Sequence, residues 1–205
     1  MRIPPLETDR LVIRPFVMDD LDTIHRILDV ELAEAETGAE GAKTRDERTA
    51  WLRWTTLAYE ELARLNQPPY GERAIALRGT GEVIGACGYV PCLDAFGQIS
   101  ALRPEPDVTP DPGRTSTEFG RYWAVAPGYQ RRGYAAEASR ALIAFAFAQL
   151  SLARIVATTA HDNEPSIGVM RSVGMRIAYN PSPTPPWLQV VGVLRHSDIE
   201  APGVG

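Results

Sequence analysis

Two things are scarce in this chain of 205 residues: cysteine and unbroken apolar sequence. The cysteines are Cys87 and Cys92, five residues apart. They match neither a disulfide framework nor the paired spacing of a zinc site, so two thiols in a reducing compartment are expected, and no metal. The longest apolar stretch, Ala141 to Ala148, is far too short to span a bilayer, so no membrane role is expected. The N-terminus, Met1-Arg2-Ile3-Pro4-Pro5, lacks the apolar run and small-residue cleavage site of a secretory signal. A cytoplasmic location is therefore expected. A basic excess is missing too. The net charge is −5, which disfavours a general nucleic-acid binder. Two phosphate-binding motifs are absent: a Gly-x-x-x-x-Gly-Lys-Ser/Thr run, and a Gly-x-Gly-x-x-Gly in the first strand-to-helix turn.

Glycine and proline are plentiful, 17 of each, which predicts long or irregular loops. Alternation of apolar and polar residues predicts a strand over Arg10–Phe16. Asp19 and Asp20 open an amphipathic helix carrying Leu21, Ile24, Ile27 and Leu28. Residues 33–43 read as a loop or frayed helix. A second helix is predicted from Thr44 to Leu65, with Trp51, Leu52, Trp54, Thr55, Ala58, Leu62 and Leu65 on its apolar face. Strands follow at Arg73–Arg78 and Glu82–Val90, joined by Gly79-Thr80-Gly81. Residues 91–116 hold five prolines and little periodicity, and read as a long loop. Then come a strand (Glu118–Val125), a helix (Arg132–Leu150), a strand (Arg154–Thr159), a short helix (Pro165–Val173) and strands at Met175–Tyr179 and Trp187–Leu194. The tail from Ser197 reads as loose. The expected fold is a single α/β domain over residues 1–205. Its sheet is mixed and mostly antiparallel, of about seven strands, with helices on both faces. The last two strands leave a pairable edge, which would allow a homodimer.

The most informative stretch is Trp123-Ala124-Val125-Ala126-Pro127-Gly128-Tyr129-Gln130-Arg131-Arg132-Gly133-Tyr134-Ala135-Ala136-Glu137-Ala138. A strand ends, a basic turn with glycine follows, and a helix begins. The first N–H groups of a helix have no partner within it, and the helix dipole makes that end positive, so it suits a phosphate. Gly133 lets the backbone approach closely, and Arg131 and Arg132 add charge. The segment reads as a pyrophosphate cradle. Helix-end phosphate binding alone does not choose among ligands, and a nucleotide stays open at this point.

Gln130-Arg131-Arg132-Gly133-Tyr134-Ala135 matches the Gln/Arg-x-x-Gly-x-Gly/Ala signature of the GNAT N-acetyltransferase superfamily. The chain resembles the branch containing the ribosomal-protein alanine and serine N-acetyltransferases. Three features carry that resemblance in order. They are Leu6-Glu7-Thr8-Asp9-Arg10-Leu11; Gly133-Tyr134-Ala135-Ala136-Glu137-Ala138; and Asn163-Glu164-Pro165-Ser166-Ile167 followed by Val173-Gly174-Met175. The resemblance covers the chain from Leu6 to Leu194. The resemblance implies an acetyl-coenzyme A-dependent N-acetyltransferase acting on a primary amine, either a protein N-terminus or a small molecule, by direct attack on the thioester. It implies that the pantetheine arm pairs with Trp123, Ala124 and Val125, and that a backbone N–H near Val125 polarises the thioester carbonyl. It implies that Gln130, Arg131, Arg132, Gly133, Tyr134 and Ala135 cradle the diphosphate and that Asn163 holds the amide region. Ser166 is the implied proton donor to the departing thiolate, since Met170 stands where many members carry a tyrosine. The expected base is Glu118, His161 or water. Asn163 and Ser166 also read as helix caps. The departures at Met170 and Glu118 keep open a non-catalytic acyl-coenzyme A binding module on the same fold.

Overall fold

The computed structural model describes residues 2–34, 41–102 and 115–200. Eight strands, β1 (Leu6–Glu7), β2 (Leu11–Arg14), β3 (Gly71–Leu77), β4 (Val83–Asp94), β5 (Ser116–Val125), β6 (Arg154–Thr159), β7 (Arg176–Tyr179) and β8 (Val190–Arg195), are hydrogen-bonded in the order β1-β2-β3-β4-β5-β6-β8-β7. The pairs β1–β2, β2–β3, β3–β4, β6–β8 and β7–β8 run antiparallel, and β5–β6 runs parallel. The mixed, mostly antiparallel sheet expected from the sequence is therefore present, with an eighth strand. Leu6–Glu7 is too short to show an alternation, so it was not legible as a strand. Strand β8 starts at Val190, because Pro186–Leu188 form a 3-10 turn. It lies between β6 and β7, so only β7 of the two C-terminal strands is an edge.

The chain divides into two compact units, Met1–Val90 with Tyr122–Ala144, and Pro91–Arg121 with Phe145–Gly205. In the first unit, a 3-10 turn (Met18–Asp20) leads into α1 (Leu21–His25), a π-helical stretch (Arg26–Glu31) and α2 (Leu32–Glu34). So the segment expected to fray from residue 33 is helical to residue 34; residues 35–40 lie outside the described part. Helix α3 (Arg45–Arg64) opens with a capping box. The Thr44 hydroxyl accepts from the Glu47 amide, and the Glu47 carboxylate accepts from the Thr44 amide at 2.8 Å. Phe16, Ile24 and Leu52 pack on Ala74, Ala76 and Ala86 of β3 and β4. Tyr89 lies an odd number of residues from Ala86 and so points to the other face. There its hydroxyl donates to the carbonyl of Leu142 in α4 (Tyr134–Leu150), at 2.5 Å. Helices thus cover both faces within this unit.

One buried ion pair ties the π-helical stretch to α3. Arg48 grips Asp29 with two 2.7 Å hydrogen bonds, and the Lys43 amide donates to the same carboxylate. Burial alone would raise Asp29, but these donors hold its pKa below the ordinary value. Trp51 is half-buried under Arg48 and edge-on to Phe16. Trp54, expected on the same apolar face, is instead 62% exposed.

In the second unit, β6, β8 and β7 form the ladder. Of the segment expected to be a loop over 91–116, the described residues, 91–102 and 115–116, are mostly built into strands and turns. Strand β4 runs to Asp94, two 3-10 turns follow (Phe96–Gln98 and Ser100–Leu102), and β5 begins at Ser116; residues 103–114 lie outside the described part. Phe96, Ile99 and Leu102 recur every third residue, the 3-10 period, and pack together on Val156, Leu188, Val191 and Val193. The carbonyls of Ala101 and Leu102 accept from Arg195 and Arg154. The tail differs from expectation as well: His196–Glu200 form α6, and residues 201–205 lie outside the described part. No helix among the described residues is long and apolar enough to cross a membrane.

Candidate active site

The start of α4 is built by three successive turns of the chain. The β5 strand ends at Val125, and the Ala126 amide is taken by the Ile84 carbonyl. Pro127–Tyr129 form a 3-10 turn. The Gln130 side-chain amide then reaches back to the Val125 carbonyl at 3.0 Å, fixing the strand end against the loop. Arg131 and Gly133 both take left-handed backbone angles, φ 59° and 81°. A left-handed residue is costly for a side chain bearing a Cβ, and the loop carries that strain at Arg131.

The result is an open helix end. Among the described residues, the backbone N–H groups of Arg131, Arg132, Gly133, Tyr134, Ala135 and Ala136 make no hydrogen bond; Glu137 is the first whose amide does, to the Gly133 carbonyl. The side chains of Arg131 and Arg132 are exposed, and among the described residues neither has a carboxylate in ion-pair range. Arg132 instead lies over the Tyr129 ring at 5.6 Å. A diphosphate has the charge and the acceptors that this end lacks.

The loop is braced from the far N-terminus. The Thr8 hydroxyl donates to the Glu137 carboxylate at 2.6 Å, as do the Arg10 amide at 3.1 Å and the Arg10 Nε at 2.7 Å. Arg10 also donates to the Arg132 carbonyl at 3.0 Å and covers the Tyr134 ring at 4.5 Å. Burial alone would raise the pKa of Glu137, but the bonds from Thr8 and Arg10 outweigh it and hold it below the ordinary value. Sequence reasoning missed this brace, because its members are more than 120 residues apart. The available signal was the pair of segments Thr8-Asp9-Arg10 and Gly133-Tyr134-Ala135-Ala136-Glu137.

In β5, Trp123 and Ala124 are half-buried and Val125 is buried. Strand β4 approaches closely there: a Cβ on Gly85 would sit 2.2 Å from the Ala124 carbonyl oxygen, so only glycine fits.

The second unit holds the remaining candidates. Asn163 caps α5 (Glu164–Ser172), its side-chain oxygen accepting from the Ser166 amide at 3.2 Å. The Ser166 hydroxyl and the Asn163 side-chain N–H have no partner among the described residues, and both side chains are half-exposed. Met170 is fully buried, its sulfur against Gly192 of β8, so it is a core residue. Glu118 is buried and held by Arg154 in a two-point ion pair, with Arg154 Nε at 2.8 Å. His161 is exposed. Its amide donates to Gln189, and its ring stacks on Tyr179 at 5.8 Å. Among the described residues no group of His, Cys, Asp or Glu could hold a metal ion.

Comparison with known proteins decides the family. A model of the acetyltransferase (GNAT) domain matches residues 10–176. The chain belongs to the GNAT acetyltransferase family. Acetyl transfer is the activity that GNAT membership implies. Two curated relatives come from Bacillus subtilis (strain 168). The uncharacterized N-acetyltransferase YnaD is 42% identical over 64 residues, which is 31% of this chain and 36% of that protein. The uncharacterized N-acetyltransferase YoaA is 24% identical over 173 residues, 84% of this chain and 83% of that protein.

Solved GNAT structures share the fold. The acetyltransferase from Agrobacterium tumefaciens str. C58 superposes with a TM-score of 0.67 at 24% identity, covering 95% of this chain and 96% of that one. The ribosomal-protein-S5-alanine acetyltransferase from Vibrio fischeri gives 0.65 at 17%, covering 96% and 98%. RimL, a ribosomal L7/L12 alpha-N-protein acetyltransferase in complex with coenzyme A, gives 0.62 at 11%, covering 93% and 96%.

Proposed function

We propose that this chain binds acetyl-coenzyme A at the start of α4 and transfers its acetyl group to a primary amine, on a protein N-terminus or a small molecule. The open helix end carries the reading: among the described residues six N–H groups make no hydrogen bond, and the first two belong to exposed arginines. That donor set fits a diphosphate, and the GNAT match supports coenzyme A as its carrier. A relative of the same fold in complex with coenzyme A supports this. The reading takes both units as parts of one acetyltransferase domain, because the family match runs through segments of each.

The chemistry divides among the chain's residues. Gln130, Arg131, Arg132, Gly133, Tyr134 and Ala135 hold the diphosphate. Backbone of Trp123, Ala124 and Val125 pairs with the pantetheine arm, and an N–H near Val125 stabilises the oxygen that gains charge when the amine attacks the thioester carbonyl. The C–N bond forms, the C–S bond breaks, and the Ser166 hydroxyl, which has no other partner among the described residues, gives its proton to the thiolate and regains one from solvent. The Asn163 side-chain N–H is available for the pantetheine amide. Glu118 was the first candidate for the base, but Arg154 occupies its carboxylate, so His161 or water takes the amine proton. Cys87 and Cys92 are not joined in a disulfide, which suits a reducing compartment, the cytoplasm.

One observation favours the non-catalytic alternative: the usual tyrosine is replaced by the buried Met170 and Glu118 is paired. Release of thiol from acetyl-coenzyme A over a panel of peptide and small amines separates the two. Turnover with any amine supports the enzyme; tight binding with no turnover on every amine supports the module.

A further inference from the structure

Helix α3 has apolar residues on two opposite sides. Leu52 and Thr55 are fully buried, and with Arg48 they form the inward line. Ala50, Trp54, Leu57 and Leu65, with Glu61, recur at steps of four, three, four and four on the other side of the helix. Trp54 is 62% exposed, Leu57 67% and Leu65 54%. A surface helix ordinarily presents charge there; here Glu61, held by Arg64, is the one charge in the line, and an exposed apolar patch of this kind marks an interaction site.

We propose that this stripe is the contact of a homodimer in which α3 packs antiparallel on α3 of a second copy, about a two-fold axis near Leu57. Charge placement selects that partner and that direction. Arg53 and Glu60 border the same side of the stripe. Arg53 lies about 6 Å of helix rise before Leu57, and Glu60 about 4.5 Å after it. The two-fold reverses the order along the axis and keeps the side, so Arg53 of each copy meets Glu60 of the other. A parallel pairing would put Arg53 and Glu60 of one copy on the opposite flank from those of the other, so the two charges would not meet. Among the described residues Arg53 has no carboxylate partner, whereas Glu60 shares only the exposed Arg2. An aromatic centre with a charged rim is the ordinary composition of such a contact.

The test is sedimentation of the full chain over a concentration series. The wild type is expected to dimerise reversibly. Leu57→Lys, at an exposed position that leaves the core untouched, is expected to sediment as a monomer with an unchanged circular dichroism spectrum. Arg53→Glu is expected to raise the dimer dissociation constant by about tenfold, and Arg53→Glu with Glu60→Arg to restore it. A wild type that stays monomeric at every concentration overturns the proposal. A dimer indifferent to Leu57→Lys also overturns it and moves the contact elsewhere, the β7 edge first. A double charge variant no better than Arg53→Glu alone overturns the antiparallel register.

Discussion

Helices α3 and α4 begin in opposite ways. At the start of α3, Thr44 and Glu47 satisfy each other's backbone amides with side-chain oxygens. At the start of α4, among the described residues, no side chain does so, and six amides in a row are left without acceptors. Worse for stability, that loop holds Arg131 in a left-handed conformation. A helix start that serves only the fold is capped, as α3 is. One left uncapped just after two exposed arginines is what the proposed diphosphate site needs. Bracing makes the difference tolerable: Thr8, Arg10 and Glu137 fix the open end from outside, where α3 fixes its own. Helix α5 stands between the two, capped by Asn163 yet with a free Ser166 hydroxyl in its first turn.

The comparison can be broken at each helix. The largest effect is expected at α5. Ser166→Ala should lower kcat by about a hundredfold or more, the range of a lost proton donor, with acetyl-coenzyme A affinity unchanged. A serine that only caps would leave kcat where it was. Next comes the brace. Glu137→Ala strands Thr8 and Arg10 and should cost about 2 kcal/mol, the range of bonds to a charged group, reduced by the exposure of Arg10. It should also weaken acetyl-coenzyme A binding, since the loop loses its support. Urea unfolding and calorimetric titration read the two effects; lost stability with full affinity would show that the brace serves the fold alone. The smallest effect is at α3, where Thr44→Ala should cost about 1 kcal/mol of stability and leave binding untouched.

A pH series sharpens the role of Glu137. Its folded pKa is depressed, so the stability it contributes is present above the unfolded value of about 4.3 and is lost as pH falls through the folded value. The stability gap between wild type and Glu137→Gln should therefore hold steady above about pH 5 and close below it. A gap that widens on acidification would contradict the brace as drawn.

What could be read in the sequence was local. Strand β6 has the residues read for it as a buried strand, Arg154–Thr159, and the open start of α4 was legible because glycine, arginine and a helix start fall within six residues. What could not be read depends on distant partners. Nothing near Glu118 announces that Arg154, 36 residues on, will occupy it. Nothing near Glu137 announces Arg10. The turns at Phe96–Leu102 were hidden for a different reason. Their apolar residues repeat every third position, a period that looks like neither helix nor strand. Trp54 was misplaced because a tryptophan on a helix with an apolar face is ordinarily put on that face.

The account rests on the open start of α4 as a diphosphate site. Calorimetric titration with acetyl-coenzyme A and with acetyl-pantetheine, which shares the thioester arm and lacks the diphosphate, tests it directly. The account predicts clear binding of acetyl-coenzyme A and an affinity for acetyl-pantetheine lower by about a hundredfold or more, the loss of several charge-assisted hydrogen bonds. Equal affinities, or no binding of acetyl-coenzyme A at millimolar concentration, would contradict it.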